Sequence, residues 1–482
     1  MPTREQRHAG RTRRTRRWTS WIPEALVALV VVAAIGNAEL DLGHRWLGLD
    51  RATPGTDPAR VLPPEGLDLT AGPAAAPVAL PQAPGRIDPA AVRKALAPYV
   101  ADPDLGKHVS IAVSEVATGK IVLRRGASAV TPASTMKLLT SVAALEKLGP
   151  MTRFSTRVVG AGNRIVLVGG GDPFLAGSTK RARGQYPARA DIGTLARRTA
   201  AALKAQQVSK VTLGYDDSLF SGPGLNPRWP ATYLPENVAP PISALWIDQG
   251  VVDGRYVANP AEVAANAFAT ALRRSGITVV GAPRQRTAPA AAAELAKVES
   301  APVGEIVQQT LAVSDNNAAE VLSHQVGLAV SGDGSFLGGA AGVVEVLQGL
   351  KIDTAGSRIY DGSGLSRQTL LTPGILLGVL QAAASTEHPE LREALTGLPV
   401  AGFTGSLQSR FDKGPADALG RVRAKTGTLT GVRGLAGLAT DLDGNLMAFV
   451  LITDRVPVED QLAAQHDLDL MAGALGSCHC GP

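Results

Sequence analysis

Alternating hydrophobic and polar positions near residue 108 predict a β-hairpin at the start of the folded part of the chain. The alternation covers 108–116, turns through Ala117-Thr118-Gly119-Lys120, and resumes over 121–124. A helical pattern follows, because apolar residues recur at helical spacing after Ser134 and stop near Gly149-Pro150. The first folded elements are therefore expected to be a strand pair and a helix.

The pattern near the C-terminus predicts further strands and a closing helix. Two strands are expected over about 432–440 and 445–453, joined by the turn Asp441-Leu442-Asp443-Gly444. A helix over about 458–475 follows. Helices gathered against an antiparallel sheet indicate an α+β fold.

The middle of the chain contains short β-like runs bounded by turns, at 165–171, 208–215 and 251–257. We interpret them as an inserted, mainly β domain over 156–280. The main domain is then expected to combine 89–155 with 281–475, and 476–482 is expected to form a tail.

The first 88 residues predict export from the cytoplasm. Residues 1–17 carry seven arginines and one glutamate, which equals the whole formal net charge of +6. An apolar run at 25–35 and the small residues at 36–38 follow, so 1–40 predicts a cleaved secretory signal or a retained membrane anchor. A Pro- and Ala-rich linker over 41–88 comes next. A buried core helix is the third alternative. The signal and the anchor both place the body outside the cytoplasm, in the periplasmic or cell-wall space.

The charge distribution argues against a nucleic-acid-binding body, because the chain after Arg17 has no net charge. The only cysteines are Cys478 and Cys480, so no disulfide framework is expected to hold the body. We expect the tail around Cys478-His479-Cys480 to be disordered, although metal binding or pairing between chains stays open.

Three short motifs carry the candidate chemistry: Ser134-Thr135-Met136-Lys137, Ser314-Asp315-Asn316 and Lys425-Thr426-Gly427-Thr428. Each motif alone is common by chance. Their order and their structural context make a chance occurrence of all three improbable. The first motif opens a predicted helix, and the third lies on a predicted strand before a hairpin. Together they are typical of serine enzymes that form an acyl-enzyme.

The catalytic residues are assigned from the chemistry that each side chain can supply. Ser134 is the predicted nucleophile, and Lys137, one helical turn away, is the predicted general base. A base must be neutral, so we expect burial and the neighbouring Lys425 to lower the pKa of Lys137. Ser314 would relay a proton to the leaving amine, and Asn316 would orient Lys137 and hold the substrate amide.

The third motif suits a substrate that ends in a free carboxylate. Lys425 supplies a cation, Thr426 and Thr428 supply hydroxyl donors, and an edge strand containing Gly427 can pair with an extended peptide. The backbone N–H groups of Ser134 and Thr428 are the expected oxyanion hole.

Other catalytic schemes lack their signatures in this sequence. No Gly-x-Ser-x-Gly elbow and no His-Glu-x-x-His pattern occurs, and the seven histidines are scattered. We therefore expect no metal and no cofactor.

The motifs and several further stretches resemble a known family, the low-molecular-mass class C penicillin-binding proteins, which are D-alanyl-D-alanine carboxypeptidase/endopeptidases of peptidase family S13. The resemblance covers roughly 88–475 and includes 167–173, 361–367, 398–402 and 405–407. It departs from the family at Gly405-Ser406, where Gly-Thr is usual. The interval between the first two motifs is also short for members with two inserted domains.

The resemblance implies a penicillin-binding, transpeptidase-like (serine β-lactamase-like) fold with an insertion between the first two motifs. It further implies removal of the terminal D-alanine from peptidoglycan stem peptides ending in D-Ala-D-Ala, and inhibition by β-lactams through a slowly hydrolysed acyl-enzyme. Endopeptidase cleavage of D-alanyl cross-links stays open. If the N-terminus is not cleaved, it would contact the membrane.

The sequence argues against two other functions. A class A β-lactamase needs a Glu-x-x-Leu-Asn stretch after the second motif, but no asparagine occurs between Asn317 and Asn445. A non-catalytic cell-wall scaffold is disfavoured because all three motifs are intact. The loop 361–367, rich in Gly and Ser, is expected to have a structural role near the site.

Overall fold

The computed structural model describes residues 85–482. The predicted signal or anchor over 1–40 and nearly all of the linker over 41–88 lie outside the described residues. Within 85–482, no helix is both long and apolar enough to cross a membrane.

The described part of the chain alternates helices and strands. Its strands are β1 (Val109–Glu115), β2 (Ile121–Gly126), β3 (Ser155–Ala161), β4 (Arg164–Val168), β5 (Lys210–Asp216), β6 (Val251–Val252), β7 (Arg255–Tyr256), β8 (Thr278–Val279), β9 (Arg284–Gln285), β10 (Glu294–Glu299), β11 (Val422–Leu429), β12 (Val432–Thr440) and β13 (Leu446–Thr453). Its helices are α1 (Pro89–Leu96), α2 (Met136–Leu148), α3 (Thr179–Ala182), α4 (Ile192–Ala205), α5 (Pro260–Arg274), α6 (Val303–Ala312), α7 (Asn316–Ser331), α8 (Phe336–Gly349), α9 (Pro373–Ala384), α10 (Glu393–Thr396) and α11 (Gln461–Gly476).

The main sheet has five antiparallel strands in the order β11-β12-β13-β1-β2, which joins the two ends of the described chain. The hairpin near 108–124, the strands near 432–453 and the closing helix form as predicted. Both faces of the sheet are covered, and β13 is consequently buried along all but its first residue. Its alternate side chains Val450 and Phe449 belong to hydrophobic clusters on opposite faces.

The helix α2 forms the centre of one of these clusters. Its residues from Met136 to Leu145 are all buried, because α6, α7, α8 and α9 surround it. On the other face, α1 and α11 cover the sheet. The expected α+β architecture is therefore confirmed, with α2 inside the protein and not on its surface.

The inserted segment forms a second sheet in the order β10-β3-β4-β5-β8, with β9 also pairing with β5. This sheet is covered by α4 and α5, so the module is α/β in layout and not mainly β as predicted. Both helices arise from Ala-rich segments with an amphipathic pattern, and the side chains of Asp191 and Asn259 cap their N-termini. The sheet also extends to Glu299, beyond the predicted boundary at 280.

The C-terminal tail packs onto the main domain, so the predicted disorder is wrong. Cys478 and Cys480 form a disulfide, and Cys480 is buried. The carbonyl of Cys480 accepts a hydrogen bond from the N–H of Asp88 at 2.8 Å, and the carbonyl of Cys478 accepts one from Leu442 at 3.0 Å. The tail therefore lies against the start of α1 and the turn before β13.

The two-sided burial of β13 generates a stability prediction. We expect Phe449→Ala to lower the free energy of unfolding by about 3–5 kcal/mol, since Phe449 is 0 % exposed and its removal leaves a cavity. Leu446→Ala on the same strand should cost no more than about 0.5 kcal/mol, because Leu446 is 36 % exposed. Urea unfolding followed by circular dichroism measures both, and equal losses would contradict the described packing.

Candidate active site

Ser134 lies in a 3-10 turn, Ala133–Thr135, that leads directly into α2. Its side chain is half-buried, and the preceding Ala133 has φ +47°, a left-handed conformation that costs a non-glycine residue free energy. Close packing holds this turn in place. A Cβ at Gly364 would lie 1.8 Å from the carbonyl oxygen of Ala133, so only glycine fits there.

Lys137 lies one turn into the helix and is fully buried. Its Nζ donates to three oxygens: Ser134 Oγ at 2.9 Å, Asn316 Oδ1 at 2.6 Å and the carbonyl of Ser363 at 2.8 Å. Three acceptors match the three N–H bonds of an ammonium group. The side chain is therefore held in one orientation.

The pKa of Lys137 is lowered from 10.5 to about 8. Burial is the largest cause, because it removes the charged amine from water. The nearby carboxyl groups of Glu320, Asp361 and Asp315 act in the opposite direction and raise this pKa. Desolvation thus outweighs their attraction and leaves an amine that can lose its proton near neutral pH.

The second motif connects the two buried lysines. Ser314 has φ +60° and stands just before α7, whose N-terminus is capped by the side chain of Asp315. Asn316 is the first residue of this helix and contacts Lys137, whereas Ser314 Oγ accepts a hydrogen bond from Lys425 Nζ at 2.8 Å. The turn 314–316 therefore contacts the Nζ atoms of both Lys137 and Lys425.

Lys425 lies on β11, an edge strand of the main sheet, and is fully buried. Burial lowers its pKa well below the usual value, and the cations of Lys137 and Arg410 lower it further. Its Nζ also donates to the carbonyl of Thr426 at 3.0 Å. No carboxylate forms an ion pair with Lys425 within residues 85–482.

Gly427 and Thr428 lie where β11 passes the turn that carries Ser134. A Cβ at Gly427 would be 2.7 Å from the carbonyl oxygen of Pro132, so the strand runs against the turn that carries Ser134. Thr428 is exposed and lines a cleft of about 580 Å³ together with Tyr233 and Arg367. The Thr426 hydroxyl is hydrogen bonded to Ser406 at 3.0 Å.

The structure thus brings residues of all three predicted motifs to one place. Sequence reasoning missed two further groups, the carbonyl of Ser363 and the carboxyl of Glu320 behind it. Ser363 lies in the Gly- and Ser-rich loop already singled out, but a backbone acceptor has no signature of its own. Glu320 follows the second motif by one helical turn, which was the only signal available.

The inserted module also contacts this region. Gln249 Nε2 donates to Asp315 Oδ2 at 2.8 Å, and Trp229 Nε1 donates to Asp361 Oδ2 at 2.8 Å. Two groups of side chains in the described residues could hold a cation, namely Glu146, His388 and Glu390, and Asp102, Asp104 and Asp467. Neither group includes a motif residue.

Comparisons with known proteins agree with this arrangement. Residues 92–256 and 253–475 match the D-Ala-D-Ala carboxypeptidase 3 (S13) family. The chain is 35% identical to a carboxypeptidase of Mycobacterium tuberculosis, over 95% of this chain and 96% of the relative. It is 30% identical to the D-alanyl-D-alanine carboxypeptidase of an Actinomadura species, over 73% and 79% of the two chains.

A solved structure shows the same fold. Penicillin binding protein 4 of Haemophilus influenzae aligns with a TM-score of 0.65 at 22% identity, over 80% of this chain and 98% of that one. The sequence relatives define the class as D-Ala-D-Ala carboxypeptidases. Within that class, the chain belongs to the D-Ala-D-Ala carboxypeptidase 3 (S13) family.

The contact between Gly364 and Ala133 generates a prediction for the site. Gly364→Ala should lower the rate of acylation by benzylpenicillin about 100-fold, because the new methyl group must displace the turn that carries Ser134. The rate can be followed by loss of intact penicillin under single-turnover conditions. Gly332→Ala is the matched control, since Gly332 also has positive φ but has open space around its Cβ position. Similar rates for both variants would contradict the packing argument.

Proposed function

We propose that this protein is a serine D-Ala-D-Ala carboxypeptidase that cleaves peptidoglycan stem peptides through an acyl-enzyme on Ser134. Penicillins inhibit it by acylating the same serine. The observation that carries the proposal is the contact of 2.9 Å between Lys137 Nζ and Ser134 Oγ, made by a fully buried lysine. A buried amine of lowered pKa is what a serine hydroxyl needs in order to lose its proton.

The hydrogen bonds of Lys137 determine where its lone pair points. A neutral amine has two N–H bonds and one lone pair. The oxygens of Asn316 and Ser363 can only accept, so they keep the two N–H bonds. Ser134 Oγ is the one partner that can donate, and the lone pair therefore faces its hydroxyl.

The reaction follows from this alignment. Ser134 Oγ attacks the carbonyl carbon of the penultimate D-alanine while its proton passes to Lys137 Nζ. The N–H groups of Ser134 and Thr428 receive the negative charge on the carbonyl oxygen. The C–N bond then breaks, and the proton that Lys137 took up is relayed through Ser314 to the amine of the terminal D-alanine, which leaves. Water hydrolyses the ester and restores the serine.

Lys425 recognises the C-terminal carboxylate of the substrate in this scheme. Burial without a counter-ion disfavours its charged form. A carboxylate bound beside it would favour the ammonium form again, so substrate binding and protonation of Lys425 support each other. Thr426 and Thr428 add hydroxyl donors, and the edge strand that includes Gly427 is free to pair with the extended peptide.

The same chemistry extends to D-alanyl cross-links, whose cleavage differs only in the leaving amine, so endopeptidase activity belongs to the proposal. The proposed domains are a main domain built from 89–155 and 281–475 and an insertion near 156–280, whose sheet continues past 280 to Glu299. The insertion supports the second motif through Gln249. The proposed location is extracytoplasmic, with membrane contact through the N-terminus if it is retained.

The nucleophile assignment predicts that Ser134→Ala loses activity. The substrate is a diacetylated L-Lys-D-Ala-D-Ala peptide, and released D-alanine is measured by chromatography. We expect a loss of at least about 1,000-fold with the melting temperature unchanged, because only the attacking atom is removed. Ser385→Ala, which alters a hydroxyl at the end of α9, should retain wild-type activity. Activity in Ser134→Ala would refute the assignment.

The lowered pKa of Lys137 predicts the pH dependence of acylation. The neutral amine is the active form, so the rate should rise about tenfold per pH unit below pH 8 and level off above it. At pH 7, about 10% of such a lysine is neutral, compared with about 0.03% at the ordinary value of 10.5. Stopped-flow acylation by a fluorescent penicillin measures this profile. A plateau reached only above pH 10 would contradict a base of lowered pKa.

A further inference from the structure

Two buried carboxyl groups lie beside Lys137, and the proposed reaction uses neither of them. Glu320 on α7 is 1 % exposed, and Asp361 in the loop before α9 is 0 % exposed. Burying a carboxyl group is costly unless hydrogen bonds compensate it. Their partners therefore indicate what the groups do.

Both carboxyl groups accept hydrogen bonds from the backbone of one loop, 361–364. The two oxygens of Glu320 accept from the backbone N–H groups of Gly362 at 3.0 Å and Ser363 at 2.7 Å. Asp361 accepts from the N–H of Gly364 at 3.1 Å and from Trp229 Nε1 at 2.8 Å. The carboxyl pair thus fixes the course of 361–364.

This loop reaches both catalytic groups of the first motif. The carbonyl of Ser363 is the third acceptor for Lys137 Nζ, and Gly364 packs against the carbonyl of Ala133 beside the nucleophile. The peptide unit between Ser363 and Gly364 therefore lies between the base and the turn. The N–H of Ser363, held by Glu320, belongs to the same residue as the carbonyl that contacts the base.

We propose that Glu320 is a positioning residue for the general base. This role rests on the proposed function. Glu320 anchors the backbone of Ser363, and the carbonyl of Ser363 orients the Lys137 amine. The lone pair of that amine then faces Ser134. Asp361 holds the other side of the same loop. Without the Glu320 anchor, the carbonyl is free to turn away, and the amine can rotate an N–H bond toward the serine.

The charges around Glu320 are consistent with this role. Burial raises the pKa of Glu320, and the neighbouring Asp361 raises it further. The facing cation is Lys137, whereas the ring of His324, one turn along α7, has its pKa lowered to about 4 by burial and is neutral at pH 7. The geometry of the two backbone hydrogen bonds is thus the feature to test.

The test compares Glu320→Gln with Asp172→Asn, a matched control. Asp172 is also buried and caps a loop through the N–H of Phe174 at 2.8 Å, but it makes no hydrogen bond to the three motifs among the described residues. In Glu320→Gln, the side-chain NH₂ group replaces one of the two oxygens that accept hydrogen bonds from the backbone N–H groups of Gly362 and Ser363. Two donors then face each other. One hydrogen bond is lost, and the loop is released on one side.

Acylation of the full chain by a fluorescent penicillin separates positioning from folding. The amplitude of the acylation signal measures the fraction of protein molecules that are folded and active. The rate constant at saturating penicillin measures how fast each active molecule is acylated. We expect Glu320→Gln to lower the saturating rate constant at least tenfold, with the half-saturating concentration within twofold of wild type. Asp172→Asn should leave the rate constant unchanged, even if its amplitude falls.

A wild-type rate constant in Glu320→Gln, with only the amplitude reduced, would overturn the proposal. If that variant does not fold, Glu320→Asp replaces it, since its carboxylate is withdrawn by one methylene group. A lowered rate constant in Glu320→Asp supports the role, and an unchanged one refutes it. Absence of any acylation in the wild type would refute the proposed function instead.

Discussion

The burial of the Lys137 amine is the constraint on which the active site depends. A lysine in water keeps its proton until the pH is far above neutral. Inside this protein, desolvation lowers its pKa to about 8, and three oxygen acceptors make the burial tolerable. The acceptors come from three separate segments: the turn before α2, the start of α7 and the loop before α9. In the proposed reaction, the fold must bring these segments together before Ser134 can lose its proton to Lys137.

The architecture fulfils this requirement by enclosing α2. Helices surround it on one side, and the main sheet closes the other, with β11 running against the turn that carries Ser134. The second lysine, Lys425, is thereby placed within reach of Ser314. The inserted module adds contacts from Gln249 and Trp229 to the segments that hold the acceptors. Packing between elements that are distant in sequence thus aligns the polar atoms around Lys137 and Lys425.

The sequence predicted the parts of this structure that follow from local patterns. Alternation and turn residues identified the hairpin of β1 and β2, and motif spacing placed Lys137 one turn from Ser134. The helices α4 and α5 were missed although both segments are amphipathic, because the interpretation of 156–280 rested on the short β-like runs at 165–171, 208–215 and 251–257. The packed tail and the role of Ser363 were not predictable, because backbone hydrogen bonds such as the one from Asp88 to Cys480 depend on tertiary contacts and leave no mark in residue identity. Glu320 was hidden for a similar reason, since a glutamate in a helix ordinarily faces solvent.

The central claim is that a buried lysine makes Ser134 the single nucleophile. Mass spectrometry of the intact protein after incubation with benzylpenicillin, followed by peptide mapping of the adduct, tests it most directly. We expect one penicillin per chain, bound to the peptide that contains Ser134 and stable long enough to be isolated. An adduct on another residue, or unchanged protein beside intact penicillin, would contradict it.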